Sequence, residues 1–403
     1  MTALYQKISD YIDSQKENML ADLITLVSLE GHSTERENVE KAMTFYVDEL
    51  RKLGITDISS FEIAENRAPL VCAIWGAERS SAPVIFSSHF DTVHPFGAFG
   101  APCTLLENGN LHGPGAKDCK GGGIIALYIL KALMHIGYRE RPIKLILVSD
   151  EEECHRGSIA DKIIIRESQG ALCAFNMEPG DMSNRLVTAR KTSYQFEFSI
   201  NGITGHAGNA FLESRNPINE AACKIKEIIS LTNLDAGTMI SPTIIHAGRQ
   251  FSTIPGQCIL SVNARFQSAE ESARICQEMQ RIADTSHTPN THTVMTITPS
   301  QLPAYTESAE ITKIFNFTNQ LAHEVGIPLF GKVHRGGAAD AGNFMAAGVP
   351  VLDGCGIVGD GGHTLGEYAV ISSMYIRSKL FAYEVFRLEE IVGSDGHIVV
   401  SSC

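Results

Sequence analysis

Three apolar runs in this 403-residue chain each stop at a polar cluster carrying acids or a histidine. PVIFSSHFD spans 83–91, PIKLILVSDEEE spans 142–153, and a third apolar stretch ends in Phe175-Asn176-Met177-Glu178-Pro179. Apolar runs with turn residues on both sides are buried strands, covered on both faces. The helical pattern IIALYILKAL at 124–133 lies between the first two runs. Strand, helix and strand in alternation predict an α/β fold with its sheet between layers of helix. In such sheets, sites form beyond the carboxyl ends of the strands, where these polar clusters fall.

The first fifty residues are expected to form two helices. Ile8, Tyr11 and Ile12, followed by Met19, Leu20 and Leu23, mark the first, and Val39 to Leu53 the second, before Gly54. The pattern changes near residue 190. SYQFEFSI at 193–200 alternates as a half-exposed strand does. Then come a helix at 216–231, strands at 243–247 and 257–266, a helix at 269–283 and a strand at 291–298. This βαββαβ order predicts a small open sheet with helices on one face. After Pro303 the α/β pattern resumes, with a helix at 308–325 and strands near 328–333 and 349–353. The expected organisation is one α/β domain, 1–187 and 300–403, interrupted by an α+β domain at 188–299.

Charge and cysteine usage narrow the function. Lys and Arg total 33 against 46 Asp and Glu, a net charge of −13. Nucleic acid and anionic membrane are therefore excluded as partners, because phosphate binding needs a basic face. The most apolar stretch, Ile124–Leu130, is ended by Lys131, well short of a membrane span. The N-terminus, MTALYQKISDYIDSQKENML, reads as a charged amphipathic helix without a secretory apolar core. None of the ten cysteines, Cys403 included, forms a C-x-x-C pair. These features together predict a cytoplasmic protein with free thiols.

The candidate chemistry lies in the polar clusters. His89 and Asp91 are two apart at a strand end, which suits a metal ligand held in one tautomer by a carboxylate; a buried histidine with a local partner is the alternative. HGPGAKDCKGG at 112–122 lacks the spacing of a phosphate loop. Its glycines could instead let Asp118 turn toward the edge that carries His89. Asp150-Glu151-Glu152-Glu153 repel one another unless cations neutralise them or water solvates them. Glu178 follows a strand, and His363 stands in Gly361-Gly362-His363-Thr364. Nitrogen and oxygen donors without sulfur suit catalytic zinc. A carboxylate such as Asp118 could bridge two ions, and a spare glutamate beside a ligand could be a general base. No G-x-S-x-G and no H-E-x-x-H occurs.

The ordered segments SSHFDTV, GPGAKDCKGG, SDEEE, NMEPG, RKTSYQFEFSINGITGHAG, STIPGQCILSVNARF, GGAADAGNF and GDGGHTLGEYAVI span nearly the whole chain. Together they resemble the dizinc carboxypeptidases, aminoacylases, acetylornithine deacetylases and succinyl-diaminopimelate desuccinylases, most of all the glutamate carboxypeptidase branch. The resemblance implies a zinc-peptidase-like domain with a mixed sheet between helices, interrupted by a ferredoxin-like lid that dimerises. It implies that His89, Asp118 and Glu178 bind one Zn2+, and Asp118, Glu152 and His363 the other, with Co2+ or Mn2+ as substitutes. Asp91 would orient His89. Glu151 would activate a bridging water and then protonate the leaving amine. His206 would reach the partner subunit's site and stabilise the tetrahedral oxyanion. Arg265 and the Gly336-Gly337 loop match the region that holds the substrate carboxylate. The implied reaction is hydrolysis of an amide bond to a C-terminal amino acid or within an N-acyl amino acid.

The chain departs from that pattern at several places. Cys154-His155-Arg156 lengthen the gap to the Gly-Ser that follows the glutamate pair, which leaves Glu152 as base with Glu153 as ligand as a second register. Ser252 replaces the usual Asn before the Ile-Pro turn, and Asn263 the usual Asp before the strand Arg. SQLPAY stands where a glutamate-specific enzyme would carry an arginine, and Arg335 is the available substitute. Two further readings remain open. The same metals could serve an amidine or deaminase-type hydrolysis, or the fold could be a silent binding protein.

Overall fold

In the computed structural model, residues 2–101 and 103–400 are described. Cys403 and the final residues of the expected 300–403 segment lie outside them. The chain divides into two compact units, one of Met1–Ala189, Thr306–His334 and Ala339–Cys403, the other of Arg190–Tyr305 and Arg335–Ala338.

The first unit begins with three helices where two were expected. Ala3–Ser14 is capped by the Thr2 side chain, which accepts from the backbone N–H of Tyr5. It ends at Gln15, and Lys16–Ser28 follows directly. The polar run between Ile12 and Met19 offers no apolar residue to hold one straight helix against the core. The third helix, Arg36–Lys52, buries Val39, Met43, Tyr46, Val47 and Leu50.

These helices pack on an eight-stranded sheet. Its order is Asp57–Phe61, Leu70–Trp75, Ile143–Val148, Val84–His89, Cys173–Asn176, Val351–Asp353, Arg185–Arg190 and Gly331–Arg335. Four adjacent central strands run parallel, from Ile143–Val148 to Val351–Asp353. Leu70–Trp75 joins them antiparallel, so the sheet is mixed. Val84–His89 and Ile143–Val148 are buried throughout, as their unbroken apolar character requires. The acids expected at the end of the 142–153 strand lie beyond it, in a turn, because four adjacent charges cannot continue between two helix layers.

The helix expected over 124–133 is longer, Lys120–His135, and takes in the glycines expected as loop. A Cβ on Gly122 would lie 2.0 Å from the Met177 carbonyl oxygen, and one on Gly123 would lie 2.9 Å from the Phe90 ring. These glycines serve close helix–strand approach rather than a turn.

The second unit contains an antiparallel sheet in the order Met239–Ala247, Gln257–Phe266, Thr192–Asn201, His292–Pro299. Alternate residues, among them Phe196, Phe198, Leu260 and Val262, form one core with Ile228, Ile275 and Met279 of helices Pro217–Ser230 and Ala269–Asp284. Among the described residues, no helix is long and apolar enough to cross a membrane.

Candidate metal centre and active site

Parallel strands deliver four of the site's side chains to one edge of the sheet. His89 ends Val84–His89, Glu151 and Glu152 lie in the turn after Ile143–Val148, and Glu178 follows Cys173–Asn176. Asp118 arrives from the segment before helix Lys120–His135. His363 arrives through a small second sheet, in which Asn110–His112 pairs antiparallel with Tyr368–Val370. That register joins the Asp118 segment to the His363 segment, nearly 250 residues away in sequence.

Two donor groups result. In the first, Nε2 of His89 lies 3.1 Å from Asp118 Oδ1 and 3.4 Å from Glu178 Oε1. In the second, Nε2 of His363 lies 3.1 Å from Glu152 Oε2 and 3.6 Å from Asp118 Oδ2. Asp118 belongs to both groups, one oxygen turned to each histidine. Within each group, one donor atom per residue falls within 4.8 Å of the others, a separation that suits a metal ion. The sulfur of Cys119 belongs to the first group. It also hydrogen bonds the Met177 carbonyl at 2.9 Å, and burial keeps its thiol well above the usual range.

Surrounding groups hold these donors in place. Nδ1 of His89 faces Asp91, 3.2 Å from its carbonyl and 3.3 Å from Oδ1. Asp91 is fully buried, and its Oδ2 accepts from the Ser33 hydroxyl at 2.6 Å and from the Glu152 N–H at 3.0 Å. The same carboxylate thus aims His89 and fixes the backbone of Glu152. Glu367 accepts the N–H groups of Lys117 and Asp118 at 2.9 and 3.0 Å. Neither Cys119 nor Glu367 carried a chemical assignment in the sequence; for Cys119 the available signal was adjacency to Asp118.

The electrostatics describe a site crowded with buried acids. Burial and then the Asp118 charge push the Glu152 carboxyl up to about 7. Burial and then Glu178 push Glu151 well above the usual carboxylate range. Burial opposes ionisation of Asp118, but hydrogen bonds from His363 and His89 outweigh it and hold this carboxyl low. Hydrogen bonds donated by its ring to Asp118 and Glu152 raise His363 to about 10. Four carboxylates and two imidazoles converge here, and positive charge among them, from protonated imidazoles or from bound cations, offsets the repulsion of the acids. Oxygen and nitrogen donors at these separations fit zinc, cobalt or manganese.

Glu153 belongs to neither group. It faces His32 Nε2 at 3.8 Å and Arg156 at 3.5 Å, on the outer side of the turn. His206, Arg265, Arg335, Gly336 and Gly337 lie in the second unit, whereas both donor groups lie in the first. Nδ1 of the exposed His206 accepts from the N–H groups of Gly208 and Asn209, both at 3.2 Å. Arg265 donates to the Gly336 carbonyl at 2.7 Å, which brings those two residues together. The Arg335 carbonyl accepts from the Lys191 N–H at 3.2 Å. Arg265 also lines a hollow of about 900 Å³ on the sheet, beside Glu197 and Asn263.

A family model described as peptidase family M20/M25/M40 matches residues 85–385. Carboxypeptidase G2 of Pseudomonas sp. (strain RS-16) is 25% identical over 384 residues, covering 93% of this chain and 91% of that protein. A succinyl-diaminopimelate desuccinylase of Aromatoleum aromaticum is 26% identical over 235 residues, covering 53% of this chain and 60% of its own. The solved structure of aminopeptidase PepT from Bacillus cereus superposes with a TM-score of 0.76 at 17% identity, over 93% of this chain and 99% of that one.

Proposed function

The chain belongs to peptidase family M20/M25/M40, and on that premise we propose that it is a dizinc hydrolase cleaving the amide bond of a C-terminal amino acid or an N-acyl amino acid. The observation that carries the proposal is the sharing of Asp118 between two donor groups. His89, Asp118 and Glu178 would hold one ion, and Asp118, Glu152 and His363 the other. Two such ions supply Lewis acidity, which polarises a carbonyl and acidifies a water molecule.

Within that frame Glu151 is the general base. It removes a proton from the attacking water as the C–O bond forms, and returns that proton to the leaving nitrogen as the C–N bond breaks. Burial and then the neighbouring carboxylate of Glu178 raise its basicity, as suits a group that takes a proton from water. Asp91 keeps His89 in the tautomer that presents Nε2 to the site. We assign Arg265, Arg335 and the Gly336-Gly337 backbone to the substrate carboxylate. The second unit is read as a dimerising lid that carries His206 to the partner subunit's site. A carboxypeptidase and a desuccinylase among the relatives support an amide beside a carboxylate-bearing residue. The free cysteines are consistent with a cytoplasmic setting.

A screen of dipeptides and N-acyl amino acids against zinc-loaded protein tests the reading. Release of a free amino acid from at least one class is expected. Hydrolysis confined to amidines, or binding without turnover by metal-replete protein, would overturn it.

A further inference from the structure

His155 is fully buried, yet it is not a donor to either metal group and the mechanism above does not use it. Its Nδ1 lies 2.8 Å from Asp150 Oδ1 and its Nε2 lies 2.7 Å from Asp340 Oδ1. Both ring nitrogens therefore face carboxylates that are themselves buried. Only an imidazole that donates from both nitrogens satisfies the two acceptors at once. The contact spans 185 residues of sequence. It ties the turn that carries Glu151 and Glu152 to the first turn of helix Ala341–Ala346, where Asp340 also accepts from Asn343 Nδ2 at 3.1 Å.

The backbone of that turn is unusual in the same place. Cys154 and His155 are consecutive residues with φ of 53° and 57°, in the left-handed region that disfavours non-glycine residues. The turn closes on itself through Cys154 N–H to the Glu151 carbonyl at 2.6 Å and His155 N–H to the Asp150 carbonyl at 3.3 Å. A strained conformation persists only where its surroundings over-determine it. Here the surroundings are the two carboxylates gripping the ring.

We propose that His155 is a positioning residue, a clamp between Asp150 and Asp340 that holds Glu151 and Glu152 at their working positions. The inference rests on the assignment of Glu151 as the base and Glu152 as a ligand. Two carboxylates that would otherwise repel are joined through one ring, and the turn that carries Glu151 and Glu152 is held by this contact as well as by the Asp91 bond to the Glu152 N–H. Burial opposes charge on His155, but the facing Asp340 and Asp150 hold it protonated well above the usual histidine range, in keeping with donation from both nitrogens.

The test compares His155→Ala, His155→Gln, Asp340→Asn and the His155→Ala/Asp340→Asn double variant with the wild type and with Glu151→Gln. Each is zinc-loaded and assayed on a substrate the wild type cleaves. His155→Ala should lower kcat about 10- to 100-fold with little change in KM, because displacement of a base by less than an ångström costs that much. Metal content should be retained. Amide hydrogen exchange over 150–158 should quicken while the central strands stay protected. His155→Gln, which keeps a donor, should recover part of kcat. The double variant should be no slower than His155→Ala, since both remove the same clamp. Unchanged kcat and unchanged exchange over 150–158 in a folded His155→Ala would overturn the clamp. So would additive losses in the double variant. If His155→Ala does not fold, His155→Gln and Asp340→Asn carry the same readouts. Full activity in Glu151→Gln would overturn the base assignment instead, and the exchange measurement still decides the clamp.

Discussion

The carboxylate of Glu367 accepts the backbone N–H of Asp118 at 3.0 Å, so an acid late in the chain fixes the residue shared by both donor groups. It accepts the neighbouring Lys117 N–H as well, and it is buried. Glu367→Ala should therefore weaken metal binding by about 10- to 100-fold, the usual cost of removing a group that orients a ligand. Titration of metal-stripped protein with zinc measures it. Wild-type affinity in the variant would show that the Asp118 segment holds its shape without Glu367.

Metal dependence follows from the donor sets. Chelation should abolish hydrolysis, and zinc, cobalt or manganese should restore it, since donor type alone does not select among them. Elemental analysis should find about two ions per chain, falling to about one in His363→Ala because the first group keeps His89, Asp118 and Glu178. Fully active protein holding a single ion would remove the second site from the mechanism.

The turn after Ile143–Val148 offers two registers for base and ligand. Glu151→Gln preserves shape and should retain both ions while losing about 10²–10⁴ in kcat. Glu152→Gln should instead lose metal, because Glu152 Oε2 sits 3.1 Å from His363. The reverse result, an active Glu151→Gln with a metal-replete but inactive Glu152→Gln, would assign Glu152 as base and Glu153 as ligand.

His206 calls for a test in trans. His206→Ala should lower kcat about 10²–10³-fold, the loss expected for an oxyanion donor, with both metals retained. Mixing inactive His206→Ala with inactive Glu151→Gln, under conditions of subunit exchange, should restore part of the activity. One hybrid site then combines an intact Glu151 with the partner's intact His206. Demonstrated exchange without recovered activity would place His206 outside the neighbouring site.

Stability should depend on pH through Glu384, which belongs to neither donor group. Burial raises its carboxyl to about 8, although Thr318 donates to Oε1 at 2.8 Å. Between its unfolded value of 4.5 and about 8 the folded state holds a proton that the unfolded state has released. Stability must therefore fall as pH rises through that window. The full effect is on the order of 5 kcal/mol. Glu384→Gln cannot ionise, so its urea midpoint should decline less between pH 5 and pH 8 than that of the wild type. Parallel declines in the two proteins would show that Glu384 stays neutral in neither state or titrates alike in both.

The elements and their chemistry can be read from local pattern alone. Buried strands such as Val84–His89 and Ile143–Val148 follow from unbroken apolar runs, and the alternation in Thr192–Asn201 marks a sheet with one covered face. These are local properties, set by periods of two or 3.6 residues. The same locality explains the misjudged boundaries. Gly121, Gly122 and Gly123 suggest a loop until the approach of Met177 and Phe90 to the helix is known. The break at Gln15 likewise depends on which core the two helices face.

Which donors share a site, and what holds them, is set by contacts within the folded chain. Residue spacing left His89, Asp118, Glu152, Glu178 and His363 as separate candidates, and their grouping in the sequence rested on resemblance. In the fold, the pairing of His112 with Tyr368 brings His363 beside Asp118 and Glu152. Cys119, Glu367 and the His155–Asp340 contact emerged there as well. Each depends on contacts between segments distant along the chain. Local periodicity carries no information about such register, because strand pairing and helix packing are fixed by the burial of the whole core.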